Sequence, residues 1–307
     1  MSDIRFSDVP CPVCGSGLRK LLYRGDLPAG DADPEYFKCT CSELGIFTGI
    51  HKCLECGCIY QSPVPEPDKI EALYRSITDS DYLSKEEERR ITFERYADLV
   101  QCYLKKGTIL EIGSYTGIFL EVIGRRGFDA DGIELSDWAR GIAVGEKGLN
   151  VSGKSLGESA PAREERYDAV CLWDVIEHYS RPVSELKHIN TVLKDGGFLF
   201  LYTIDAGSLV FRIMGRKYPF LMLMHTVYFS KKTLKEALRK TGFELVLHRQ
   251  HLRFVQKEYL YGRLDIVFGR FSFLVKALFE PYFFLSGKKY ILLGFTGLMD
   301  IVARKIR

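Results

Sequence analysis

From residue 107 onward the apolar positions alternate between two rhythms. Segments 108–112, 167–173 and 197–203 are short, nearly unbroken apolar runs, the pattern of strands buried on both faces, and 129–134 reads as a further strand. Between them, 117–126, 137–147 and 183–193 carry apolar residues at helical spacing. Segment 231–241 predicts a basic helix ended by Gly242, with a strand over 243–249 and a closing strand over 299–305. Such alternation predicts an α/β fold, a mostly parallel sheet with helices on both faces. Upstream, the proline-rich stretch 62–67 marks a boundary between a unit at 1–67 and one at 68–307. Asp68 is expected to cap a helix bearing Ile70, Leu73 and Tyr74 on one face, and a charged helix follows over 86–104.

Composition narrows the class. Hydrophobic residues make up 46% and charged residues 27%, which suits a globular protein and excludes a disordered tail. Forty-three Lys and Arg against 40 Asp and Glu leave a net +3, too balanced for a dedicated nucleic-acid binder. No secretory signal and no 18-residue apolar run is visible, so a cytoplasmic location is expected.

Seven of the nine cysteines lie before residue 59. Two C-x-x-C pairs, Cys11–Cys14 and Cys53–Cys56, are each followed by a glycine that permits a tight turn. Four thiolates on two such turns suit tetrahedral zinc at a closed, structural site. A redox dithiol is the competing reading, but Pro12 and the surrounding turn residues supply no strand-to-helix context for it. Cys39, Cys41 and Cys58 stay open as substitute or additional ligands, and 39–49 reads as an insertion in the ribbon loop.

The first strand of the α/β unit runs into Glu111-Ile112-Gly113-Ser114-Tyr115-Thr116-Gly117. Such a loop lies at the carboxyl edge of the sheet, where open α/β folds bind ligands. Tyr115 and Ile118 break the dinucleotide fingerprint, and a carboxylate at position 111 favours a cationic ligand over a pyrophosphate. Glu134 closes the second strand, where a carboxylate can take both hydroxyls of a ribose.

E-x-G-x-x-x-G, the acidic residue ending the next strand, the run Tyr167 to His178, the turn Leu193 to Leu199 and the segment His225 to Glu244 together resemble the class I S-adenosylmethionine-dependent methyltransferases. The resemblance covers about residues 68–307, and the double knuckle is similar to the zinc ribbon preceding this domain in one subgroup. It implies a Rossmann-like seven-stranded methyltransferase sheet preceded by a small four-cysteine zinc ribbon. S-adenosylmethionine would be held by Glu111, Gly113, Ser114 and Tyr115 at its methionine end, with Gly117 letting the next helix start close to it. Glu134 would take the ribose, Trp138 and Glu158 would lie at the adenine, and Asp174 would line the pocket. In this family a glycine usually stands where this chain has Tyr115.

Transfer to oxygen or nitrogen needs alignment and often a base. Asp174, Glu177 and His178 share one face if the chain is helical there. They then either line the pocket and pack against neighbouring loops, or bind a divalent cation, as a similar pattern does in some quinone-biosynthesis O-methyltransferases. His225, at a loop expected over the pocket, is the better base; a purely substrate-shaping role is its alternative. The apolar segment 205–224, within an insertion at 205–230, is expected to wall or lid the acceptor site, or else to fill the core.

An aromatic-rich insertion at 252–297 either folds back on the domain or meets a membrane surface, a lipid-linked acceptor or another subunit through 259–297. The leading functional expectation is methyl transfer to a small-molecule or lipid-linked acceptor, with a sugar hydroxyl favoured. RNA modification through the ribbon and the 231–240 helix, and a non-catalytic zinc-ribbon scaffold, are the rivals.

Overall fold

The structure, a computed structural model, describes residues 5–27, 34–41, 45–157, 167–287, 290–294 and 297–306. The N-terminal part opens with β1 (Phe6–Ser7) and β2 (Arg19–Arg24), followed by β3 (Gly49–Cys53), β4 (Ile59–Gln61) and β5 (Val64–Pro65). β2, β3 and β4 pair antiparallel in sequence, and β5 returns to β1. Three helices then lead to the main sheet: α1 (Pro67–Ser76), α2 (Ser80–Leu83) and α3 (Glu86–Gln101). Glu66, not Asp68, occupies the cap position of α1, because Pro67 takes the first helical place, where no N–H is needed.

The alternating part comprises β6 (Thr108–Ile112), α4 (Ile118–Arg125), β7 (Asp129–Ile133), α5 (Asp137–Gly141), β8 (Val151–Ser152), β9 (Tyr167–Trp173), α6 (Pro182–Val192) and β10 (Leu193–Ile204). α7 (Leu209–Met214), β11 (Val227–Tyr228), α8 (Lys231–Lys240) and β12 (Phe243–Gln250) follow. A separate hairpin of β13 (Arg253–Gln256), α9 (Lys257–Phe268), α10 (Ser272–Ser286) and β14 (Tyr290–Leu293) precedes β15 (Leu298–Lys305).

Seven strands form one sheet in the order β12-β15-β10-β9-β6-β7-β8, with β15 antiparallel to both neighbours and the other pairs parallel. This is the mostly parallel α/β sheet expected from the alternation, with the seven strands that the resemblance implies. The chain leaves β6 toward β7 on one side and returns to β9 on the other, so the strand order switches between β6 and β9. Leu110, Val170 and Leu172 bury one face while Ile109, Ala169 and Cys171 bury the other, as parallel strands covered by helices require. The helix expected over 137–147 is broken: α5 ends at Gly141 and continues as a π-helical turn, Ile142–Glu146. β10 starts earlier than its apolar run, because its pairing with β9 shifts register between Leu193 and Phe198, across the Gly196–Gly197 pair.

β11 does not join the main sheet. It pairs antiparallel with β4, Val227 opposite Tyr60 and Tyr228 opposite Ile59, and so extends the N-terminal sheet. The Gln61 backbone N–H donates to the Thr226 carbonyl at 2.8 Å, and its side-chain amide donates to the Leu223 carbonyl at 2.9 Å. Cys11, Val13, Cys53, Cys58 and Tyr60 share a core cluster with Leu110 and Val170. Phe37, from the loop between β2 and β3, packs with Leu73, Ile77 and Met222–Met224. The N-terminal part is thus bonded directly to the segment that carries His225.

Candidate functional site

Cys11 and Cys14 lie on the turn before β2, and Cys53 and Cys56 on the turn after β3. Gly15 and Gly57 hold left-handed backbone, φ 78° and 81°, and each donates its N–H to the carbonyl of the first cysteine of its knuckle. The two sulfur pairs Cys11–Cys56 and Cys14–Cys53 stand 3.5 Å apart, and all four sulfurs lie within 4.8 Å of one another. A zinc tetrahedron with ~2.3 Å bonds has edges of roughly 3.8 Å, so the donor set fits. Cys58 is buried beside this cluster with its sulfur on the Ile59 carbonyl, and Cys41 packs against the Phe37 cluster. Cys39 is solvent-accessible, yet burial pushes its thiol up to about 12, against an opposing contribution from Arg89. Its charged neighbours, besides Arg89, are Glu134, Asp174 and Asp79.

Glu111 and Glu134 stand at the carboxyl edge of β6 and β7. Glu111 is buried; its Oε2 has no hydrogen-bond partner among the described residues, and burial, then the charge of Glu134, holds its carboxyl well above the usual range. Glu134 accepts the Tyr115 N–H at 2.8 Å and the Ser136 N–H at 2.7 Å, yet burial still raises it. Gly113 has φ 73°, and a side chain there would meet Val175 at 2.6 Å. Gly117, φ 76°, precedes the first residue of α4, and a Cβ on it would strike Leu149 at 2.3 Å; the glycine serves helix packing. Ser114 and Thr116 keep buried hydroxyls without partners among the described residues. Tyr115 stands at φ 48°, the left-handed conformation that a glycine adopts without strain, at a cost of about 1–2 kcal/mol. Its ring lies 4.2 Å from Tyr82 and 5.9 Å from Trp138. Glu158 lies outside the described residues. A buried carboxyl with an unpartnered oxygen, opposed by a second carboxyl, fits a ligand that brings positive charge.

At the end of β9, Asp174 also takes left-handed backbone, φ 63°, and the next turn, Ile176–His178, is a 3₁₀ turn. The expected helical face of Asp174, Glu177 and His178 therefore does not form. Asp174 is exposed, whereas Glu177 is fully buried with Asp174 and Thr203 as polar neighbours. Among the described residues the four cysteines are the one group whose donor atoms converge within 4.8 Å; those of Asp174, Glu177 and His178 do not. Histidines 178 and 225 do meet, with ring centroids 4.9 Å apart and near-perpendicular planes. The His225 Nδ1 lies 2.8 Å from the Phe220 carbonyl; a carbonyl only accepts, so Nδ1 carries the proton and Nε2 keeps its lone pair. Burial lowers the pKa of His225, with Asp174 opposing. Burial, then the charge of His225, lowers His178 to about 3, and both rings are neutral near pH 7. The Tyr74 hydroxyl meets His178 Nδ1 at 3.1 Å.

Several of these residues escape sequence reasoning. Asp79 accepts from the Thr40 N–H, the Thr40 hydroxyl and the Tyr115 hydroxyl, while the Tyr82 ring lies tilted against Tyr115 and carries the Arg89 guanidinium over its own face. The polar run Thr78–Asp81 between two helical patterns is the only local signal.

The profile of the family described as methyltransferase domain matches residues 87–248, over half of the chain, and the chain belongs to that family. It is 31% identical over 128 residues to a ubiquinone biosynthesis O-methyltransferase of Paraburkholderia phytofirmans, covering 39% of this chain and 55% of that protein. A protein of the same name from Nitrosomonas europaea is 29% identical over 147 residues, covering 46% and 63%. The chain thus spans less than two thirds of the length of these curated relatives. Among solved structures, an S-adenosylmethionine-dependent methyltransferase from Archaeoglobus fulgidus is similar over 74% of this chain and all of its own, with 19% identity and a TM-score of 0.48.

Proposed function

We propose that this chain transfers a methyl group from S-adenosylmethionine to a hydroxyl of a small or lipid-linked acceptor. The observation that carries the reading is the buried Glu111 with its unpartnered oxygen, facing Glu134 at the strand-order switch. In this reading Glu111, with Gly113, Ser114 and Tyr115, holds the cationic methionine end. Glu134 takes the ribose hydroxyls, Trp138 borders the adenine, and Gly117 keeps α4 in place. The cofactor supplies an electrophilic methyl on a sulfonium whose leaving group is a neutral thioether. His225 accepts the acceptor's hydroxyl proton at Nε2, His178 packs edge-on against that ring, and Asp174 offers negative charge beside it. Neutral histidine at working pH suits a base.

Four cysteines, Cys11, Cys14, Cys53 and Cys56, hold a structural zinc in the same proposal, with no open position for chemistry. The oxygen acceptor is supported by the names of the curated relatives, ubiquinone biosynthesis O-methyltransferases. The sugar hydroxyl rests on the resemblance to zinc-ribbon methyltransferases. A radiolabelled methyl-transfer assay against phenolic, lipid-linked and sugar hydroxyls tests the reaction. Label entering at least one hydroxyl acceptor supports it; cofactor binding with no transfer to any of the panel contradicts it.

A further inference from the structure

We infer that the α9–α10 hairpin is a monotopic membrane-docking element for an anionic lipid surface. The hairpin rises on the separate β13–β14 ribbon and has its own small core of Val255, Leu260 and Phe283, apart from the two main clusters. Its outer face is apolar and uncovered. Phe284 is 85% exposed, Leu285 82% and Leu278 76%, with Phe273, Leu274 and Phe271 continuing the surface toward the turn between the helices. Side chains of this size stay in water only at a cost, and a patch of them marks an interaction surface.

Charge identifies the occupant. Residues 257–289 carry six Lys and Arg against three Asp and Glu, an excess equal to the whole chain's net +3. Asp265 and Glu280 are occupied by Lys276 and Lys257, so these carboxylates are neutralised within the hairpin. Arg270 sits at the turn, its guanidinium 4.9 Å from the Phe271 ring, and no carboxylate among the described residues pairs with it. A protruding aromatic and aliphatic face with a free cation at its edge is the arrangement of interfacial helices at anionic headgroups. No described helix is long and apolar enough to cross a bilayer, so the hairpin lies on the surface. This surface is independent of methyl transfer and can be tested without any turnover.

Flotation of the full chain with phosphatidylcholine vesicles, with and without about a third phosphatidylglycerol, tests it. The wild type floats with the anionic vesicles. Phe284→Glu/Leu285→Glu lowers partitioning on the order of a hundredfold, since two large apolar side chains no longer insert. Arg270→Glu weakens binding to the anionic vesicles more than to the neutral ones. Both variants change exposed positions, and an unchanged melting temperature confirms that they fold. A wild type that stays unbound with both vesicles, or a Phe284→Glu/Leu285→Glu chain that floats as well as the wild type, overturns the inference. So does a wild-type dimer, absent from vesicles, that the same double substitution dissolves.

Discussion

Tyr115 gives its phenol hydroxyl to Asp79 at 3.2 Å, and Thr40 gives the same carboxylate its backbone N–H and its own hydroxyl. One buried side chain thereby ties the loop between β2 and β3 to the glycine loop of the main sheet. The contact also helps hold Tyr115 in its left-handed conformation. Asp79→Ala leaves three donors without this acceptor, and a loss of about 1–3 kcal/mol of stability is expected. Because the same carboxylate steadies Tyr115 in the glycine loop, cofactor affinity is expected to fall with it. Chemical denaturation and a cofactor titration of the variant check both; two unchanged values would remove Asp79 from this role.

Glu111 links cofactor binding to pH. Burial and Glu134 hold its proton on the free protein above the usual carboxylate range, while a cationic ligand favours the carboxylate. Binding is therefore expected to release a proton, and affinity to rise with pH until Glu111 ionises in the free protein. Calorimetry in two buffers of different ionisation heat reads the proton count. Binding that releases none and is flat with pH would contradict the assignment.

His225→Ala is expected to lower turnover on the order of a hundredfold with cofactor affinity nearly intact, as for a lost general base. Since the folded pKa lies below the usual value, the rate plateau extends below pH ~6.5 and falls only in more acid solution. Histidines 178 and 225 also shape stability. With depressed folded values their contribution is present above pH ~6.5 and lost as pH falls toward them, because the unfolded chain binds more protons. A pH–rate profile and a pH series of melting temperatures measure the two effects. A wild-type profile that keeps rising through neutral pH would argue against His225.

One zinc per chain is expected by native mass spectrometry, lost in Cys11→Ser and kept in Cys39→Ser, Cys41→Ser and Cys58→Ser. Since β4 pairs with β11 and Gln61 bonds Thr226, loss of the ion is also expected to lower turnover through His225's neighbours. A Cys11→Ser chain with full zinc would place the ion elsewhere.

The sheet was legible because its signals are local. Apolar runs such as 167–173 declare a doubly buried strand, and Glu111, Gly113 and Glu134 follow from where those strands end. Both cysteine knuckles announced themselves by spacing and by the glycine after each pair. What stayed hidden depends on chain segments far apart meeting. Nothing near Tyr115 names Asp79, 36 residues earlier, as its partner, and nothing near Val227 names Tyr60 as its neighbour in a sheet. The Asp174–His178 stretch stayed open for a different reason: its three side chains share one face only in a helix, and left-handed backbone at Asp174 breaks that spacing. For the C-terminal insertion the sequence leaves folding back and surface contact open, because periodicity cannot say which helical face finds a partner, and the outer face of α10 finds none among the described residues.

Calorimetric titration of S-adenosylmethionine into the wild type, Glu111→Gln and Glu134→Gln addresses the carboxyl-edge pocket itself. Micromolar-range binding by the wild type and a loss of roughly tenfold or more in each variant are expected, the scale of one charge-assisted hydrogen bond. No heat at millimolar cofactor, or equal affinity in all three proteins, would contradict the account.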